Sequence, residues 1–157
     1  GKKIYLKFDE SCSDAFVDID KEKMRDVLMN LIDNAVKFTN QGGIEIGIQI
    51  DLDKVTLSIK DSGSGISQED LPKLFHKFGR IDNSYTIASD TGGTGLGLYI
   101  AKLYLEGMGG KIWATSEGTN KGSTFWISIP KSKINTRTPD FNSRIGKDFS
   151  NSISSIR

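Results

Sequence analysis

Three groups of residues in this 157-residue chain combine side-chain type and spacing in ways that could do chemistry. Asn30, Asn34 and Lys37 recur at i, i+4 and i+7, so on a helix they project from one side. An amide carbonyl is a neutral ligand for a hydrated cation, and a lysine ammonium is a point charge for a phosphate. The same spacing also describes an ordinary solvated helix face. Asp61, followed by Ser62-Gly63-Ser64-Gly65-Ile66, is the second group. An ionised carboxylate on a core face is costly unless specific donors bond to it, and the amino group of a purine would be such a donor. The glycines let backbone and a planar ligand approach closely, although a strand-ending Asp before a glycine turn is common. The third group is Gly92-Gly93-Thr94-Gly95-Leu96-Gly97-Leu98, which opens a helical stretch. Backbone N–H groups at a helix start, uncrowded by Cβ atoms, form an anion site; a flexible hinge is the alternative. The spacing is neither a Walker A motif nor a dinucleotide fingerprint.

These groups need elements to hold them. Met24, Val27, Leu28, Leu31, Ile32 and Ala35 recur at helical spacing behind Asp20, a good N-cap, which predicts a helix of about five turns. On it Asn30, Asn34 and Lys37 lie roughly 110° from the centre of the apolar stripe, at the border of the core face. Ile4, Leu6 and Phe8 alternate as in a strand, and Phe16–Ile19 reads as a second extended piece. Asn40-Gln41-Gly42-Gly43 reads as a turn. Ile44, Ile46, Ile48, Ile50 and Leu52 then alternate, as do Val55, Leu57 and Ile59 after a turn at Asp51–Asp53, with Asp61 in the same inward parity. A short helix is predicted over Gln68–His76, with Pro72 marking a kink or a late start. Gly79–Thr94 has no periodicity and is a loop of a length that usually means function or disorder. A helix over Gly95–Glu106 and strands over Lys111–Ser116 and Ser123–Ile129 complete the pattern. Ser123 shares the inward parity of Phe125 and Ile127, so it is preferred over Thr124 as a site residue.

Composition narrows the function classes. Of 17 glycines, where average usage would give about 11, twelve fall between Gly63 and Gly122. The net charge of +1 conceals a basic tail, since residues 131–157 carry six basic residues against Asp140 and Asp148. No broad nucleic-acid-binding surface is indicated on the preceding part. No apolar run approaches a membrane span, so no membrane contact is expected of this domain. The single Cys12 excludes an internal disulfide and a cysteine-rich zinc site, and the single His76 argues against a His-rich metal site. Residues 1–130 read as one domain. Residues 131–157 read as a polar basic tail, a linker or disordered end in which Phe141, Ile145 and Phe149 have spacing suited to a short docked helix.

Together and in this order, the groups resemble the catalytic and ATP-binding domain of sensor histidine kinases, in the GHKL ATPase superfamily. Val27–Thr39 resembles the N box, Asp61–Ile66 the first glycine box and Leu74–Arg80 the F box. Gly93–Leu98 resembles the second glycine box, and Gly122-Ser123-Thr124-Phe125 is similar to the third. The fold this implies is α+β, a two-layer Bergerat-type sandwich. It has a mixed, mostly antiparallel sheet packed under three helices and a long ATP lid between Phe78 and Gly93.

The resemblance implies that the chain binds Mg-ATP. Asp61 would receive the adenine amino group, Asn34 would coordinate Mg²⁺ with Asn30 beside it, and Lys37 and Arg80 would contact phosphates. Phe38 would lie against the adenine. The backbone of Gly95, Leu96 and Gly97 would wrap the phosphates, and Gly63, Gly65, Ile66, Phe78, Gly93, Thr94, Leu98 and Ser123 would complete the pocket. Gyrase-like and chaperone relatives carry Glu at the Asn30 position as a base for water. An amide cannot serve as that base, so slow hydrolysis and transfer of the γ-phosphoryl group to a histidine are implied, with Asn30, Lys37 and Arg80 as the catalytic set. The acceptor would sit on an upstream dimerisation and phosphoacceptor helical domain outside this chain, and a response regulator would follow in a two-component system. The isolated domain would be a cytoplasmic monomer and the full protein a homodimer, membrane-anchored or not. A degenerate, nucleotide-sensing interaction module is the alternative.

Overall fold

The computed structural model describes residues 2–9, 14–79 and 95–133. Its first strand, β1 (Lys3–Phe8), leads through α1 (Lys21–Phe38) to β2 (Gln41–Ile50) and β3 (Lys54–Asp61). After a one-turn 3-10 helix at Leu71–Lys73 come α2 (Gly97–Gly107), β4 (Lys111–Thr115) and β5 (Ser123–Pro130). The five strands form one sheet in the order β1-β2-β3-β5-β4. Only β1 and β2 pair in parallel, as a crossover through α1 requires; the other three pairings are antiparallel. This is the expected mixed, mostly antiparallel α+β sandwich.

α1 starts where Asp20 accepts hydrogen bonds from the Glu22 and Lys23 backbone N–H groups, satisfying two donors that have no intrahelical partner. Its stripe of Met24, Val27, Leu31 and Ala35 is buried against the inner sheet face. There it meets Ile44, Ile59, Phe125, Ile127 and Ile129, with Ala101 and Leu105 of α2 in the same core. Leu31, fully buried, would cost about 2–5 kcal/mol if truncated to Ala.

Four expectations change. Where three helices were expected, the described residues hold two α-helices and the 3-10 turn. Pro72 supplies no N–H, and Lys73, His76 and Gly79 donate to carbonyls three residues back rather than four. The segment still delivers Leu74, 5% exposed, to the core. Second, past Asn40 the turn expected at residues 40–43 is already strand, with Gly42 and Gly43 paired to Ile4 and Tyr5. A Cβ on Gly43 would lie 2.5 Å from the Tyr5 ring, so glycine here makes room for a neighbour rather than for a turn. Third, Leu52 leaves the alternation and stands fully exposed at the β2–β3 turn. Fourth, the extended piece at Phe16–Ile19 is reduced to one bridge, Val17 with Lys131. Among the described residues no helix is long and apolar enough to cross a membrane. The expected lid beyond Gly79, and the tail beyond Lys133, lie outside the described residues.

Candidate functional site

The described residues of the three sequence groups meet along one strip between α1, the β3 end and the start of α2. Asp61 closes β3 on its inner face and is 4% exposed. The β3–β5 register sets it opposite Ser123, whose hydroxyl donates to Asp61 Oδ2 at 2.6 Å, while the Gly63 N–H donates to Oδ1 at 2.8 Å. Two donors hold the carboxylate in one orientation, and its remaining lone pairs are left to accept from a ligand.

Gly63 links this carboxylate to α1. Its missing Cβ would overlap the Phe38 carbonyl oxygen, and Ser64 N–H bonds to that same oxygen at 3.1 Å. Phe38 is half-buried, and the Lys37 ammonium sits 5.4 Å from its ring centroid, within cation–π range. One turn back, Asn34 Nδ2 donates to Asn30 Oδ1 at 3.1 Å, which leaves the Asn34 carbonyl oxygen outside that bond. The backbone of Gly97 lies against Asn30, because a Cβ there would overlap the amide nitrogen. Gly97 opens α2 behind Leu96, with no side-chain cap and no acidic residue in the first turn. The helix start therefore keeps N–H groups for an anion. Gly95, at φ +69°, makes the bend that leads in.

Other expected site residues have different surroundings. Ile66, 6% exposed, is a core side chain, and Leu98 packs against that core. Their side chains serve packing. Phe78 is 64% exposed with the Lys77 ammonium 5.4 Å from its ring. Gly65, at φ +65°, has the Gly118 carbonyl where a Cβ would stand. Arg80, Gly93 and Thr94 lie outside the described residues.

One contributor, Ser116, escaped the sequence reading. Ser116 Oγ accepts from the Ile66 and Gly118 N–H groups and donates to the Gly122 carbonyl at 2.7 Å, so it clamps the glycine turn after Asp61 to the β4–β5 connection. Gly122, at φ +69°, has the Asp61 backbone carbonyl where a Cβ would be. A serine after a strand carries no residue-type signal for such a clamp. Thr39, fully buried at the C-terminus of α1, has a hydroxyl with no hydrogen-bond partner among the described residues.

Residues 19–133 match the family described as histidine kinase-, DNA gyrase B-, and HSP90-like ATPase. The sensor histidine kinase WalK of Bacillus subtilis (strain 168) is 41% identical over 121 residues, 74% of this chain and 19% of that protein. The chain thus spans less than a fifth of this relative's length. Among solved structures, the catalytic domain of histidine kinase ThkA in a nucleotide-free form is similar, with a TM-score of 0.68 and 32% identity, covering 82% of this chain and 80% of that one. Full-length ShkA in complex with AMPPNP gives a TM-score of 0.69 at 29% identity, covering 82% of this chain and 26% of that one.

Proposed function

The chain belongs to the histidine kinase-, DNA gyrase B-, and HSP90-like ATPase family, and from that premise we propose that it presents Mg-ATP to a histidine on a separate helical domain. The observation that carries this is the continuity of the strip. A buried, doubly bonded carboxylate stands at one end and an uncapped helix start against paired amides at the other. Asn30 to Lys37 spans roughly 10 Å of helix at 1.5 Å per residue, a length suited to a nucleotide laid along α1.

In this reading Asp61 accepts from the adenine amino group, and Phe38 packs against the base. Lys37 leaves the Phe38 ring for a phosphate, with Arg80 as a second cation. The N–H groups at Gly95–Gly97 cradle the phosphate chain. The donor set fits Mg²⁺, which keeps most of its waters and takes few protein ligands beside substrate phosphates. Among the described residues no group of three or more His, Cys, Asp or Glu could hold a metal, and the Asn34 carbonyl oxygen, with Asn30 beside it, is the ligand available. The ion would neutralise phosphate charge.

Phosphoryl transfer asks the protein for positioning and charge neutralisation rather than covalent chemistry. The acceptor imidazole nitrogen forms a bond to the γ-phosphorus as the bond from phosphorus to the β–γ bridging oxygen breaks, and ADP leaves with that electron pair. Asn30 cannot take a proton from water, so the γ-phosphoryl is kept for the partner. The implied partners are a His-bearing dimerisation domain and, downstream, a response regulator. The test combines this chain, a separately made histidine-kinase helical hairpin, Mg²⁺ and ATP labelled on the γ-phosphate. Acid-labile label on the hairpin histidine is expected, and its absence while ATP binds would overturn transfer but leave binding intact.

A further inference from the structure

α1 and α2 both pack on the inner face of the sheet, and no described helix or strand covers the outer one. Strand alternation and register assign the side chains of that outer face. Lys3 and Lys7 of β1, Lys54 and Lys60 of β3 and Lys111 of β4 belong to it, against one carboxylate, Glu45 of β2. All five lysines are exposed. Residues 1–130 hold 15 basic and 18 acidic residues, so off this face ten basic stand against seventeen acidic. A near-neutral sequence thus folds with one basic side, because the sheet gathers onto one plane lysines that lie far apart along the chain.

The same face carries both tryptophans of the chain. Trp113 of β4 pairs with Trp126 of β5. Their rings stack with centroids 6.1 Å apart and planes 5° apart, and the Trp126 indole N–H donates to Thr115 Oγ1 at 3.1 Å. Trp113 is 38% exposed. At the opposite edge Tyr5, its ring against Gly43, is 54% exposed. Between these edges, roughly 20 Å apart at about 4.8 Å per strand, stand small polar residues such as Ser58 and Thr124 rather than aliphatic ones.

We propose that this outer face rests on an anionic phospholipid surface. Indole and phenol rings lie at the headgroup level of a bilayer, and lysine stems follow the apolar boundary while their ammonium groups meet phosphates. A group of four to eight basic residues suits anionic lipid, each strengthening attachment by about fivefold. The lysines are spread over three strands, which matches a continuous negative plane. A nucleic-acid strand asks instead for a line of cations and separate ring faces. Here Glu45 stands between Lys7 and Lys60 in one register row, and the two indoles lie on each other. A sequence without a long apolar run has no span of its own, but an electrostatic contact needs none. The acidic remainder is repelled by the same surface, so this side is the one presented. Asp61 belongs to the inner face, and the nucleotide strip stays open.

The test uses the full chain with vesicles of phosphatidylcholine alone, or of phosphatidylcholine and phosphatidylserine in equal parts, each carrying a nitroxide on a small fraction of the headgroups. Both tryptophans belong to this face, so quenching of their fluorescence reports its approach directly. Quenching is expected with the phosphatidylserine vesicles at low ionic strength, lost at about 0.5 M salt, and absent with phosphatidylcholine alone. Lys54→Gln combined with Lys111→Gln should weaken it by about 25-fold in a chain that keeps its thermal melting curve. Unquenched tryptophans on phosphatidylserine vesicles, equal quenching on phosphatidylcholine, or quenching that the double variant keeps in full would overturn the proposal. Sedimentation with the vesicles without quenching would also overturn it, by placing attachment elsewhere on the chain. So would a single-stranded oligonucleotide that binds more tightly than the vesicles at the same salt, which would assign the face to nucleic acid.

Discussion

Asp61→Asn separates the fold of the strip from its recognition of adenine. In the native protein Oδ1 accepts from Gly63 N–H at 2.8 Å and Oδ2 from Ser123 Oγ at 2.6 Å, in a site only 4% exposed. An Asn side chain can keep its oxygen towards Gly63 and turn its NH₂ to Ser123, whose hydroxyl rotates from donor to acceptor. The cost to folding is then one weakened bond, about 1 kcal/mol. What disappears is the ionised acceptor for a purine amino group, about 1.5–3 kcal/mol for a charge-assisted bond. ATP should therefore bind roughly 10- to 150-fold more weakly, at 1.4 kcal/mol per tenfold. Calorimetric titration of the folded variant measures this. Purine riboside triphosphate, which lacks the amino group, is the control and should bind both proteins alike. Unchanged ATP affinity, or an equal loss for the control nucleotide, would refute the assignment of Asp61.

Gly97→Ala should leave stability within about 1 kcal/mol, since Ala is the better helix former, while the new Cβ displaces the Asn30 amide. A titration should show Mg-ATP affinity falling by roughly tenfold or more, one lost ligand-orienting contact at 1.4 kcal/mol per tenfold. Gly63→Ala meets the Phe38 backbone carbonyl instead, and denaturant melts should show a loss of about 1–3 kcal/mol from overpacking. The Lys23 backbone N–H, followed by the Lys23 ammonium, holds the Asp20 carboxyl below 3.8. A depressed folded-state pKa contributes stability above the unfolded value and loses it as pH falls through the folded one. Asp20→Ala should therefore lower Tm near neutrality, and the gap from wild type should close as pH drops below 3.8. Phosphate release by the chain alone should stay well below about 1 s⁻¹, the lower end of ordinary enzyme turnover, because Asn30 is no base; a faster rate would remove the argument for transfer over hydrolysis.

Local periodicity carried much of the fold. The α1 stripe behind Asp20 and the alternation of β2 and β3 are set by burial on a 3.6- or 2-residue period, and all three elements stand where that period puts them, Leu52 apart. Failures came where a residue type has two uses. Gly42 and Gly43 have the composition of a turn, but they lie in a strand, Gly42 against Ser62 and Gly43 against the Tyr5 ring. Pro72 allowed either a late helix start or a kink, and the backbone took three-residue turns instead. Leu6 and Phe8 have the inward parity expected, yet parity says nothing about whether a helix lies overhead.

For the site, the sequence by itself determined which groups were available: the amides and ammonium on one helix border, a carboxylate of inward parity, and glycines before a helix. Those properties follow from side-chain chemistry and short-range geometry. Only the tertiary structure decided their partners. Ser123 reaches Asp61 across 62 residues through the β3–β5 register, Gly97 meets Asn30 because α2 packs on α1, and Ser116 joins two loops whose sequences do not mention each other. Such pairings are set by how sheet register and helix packing close long stretches of chain, and no local pattern encodes them.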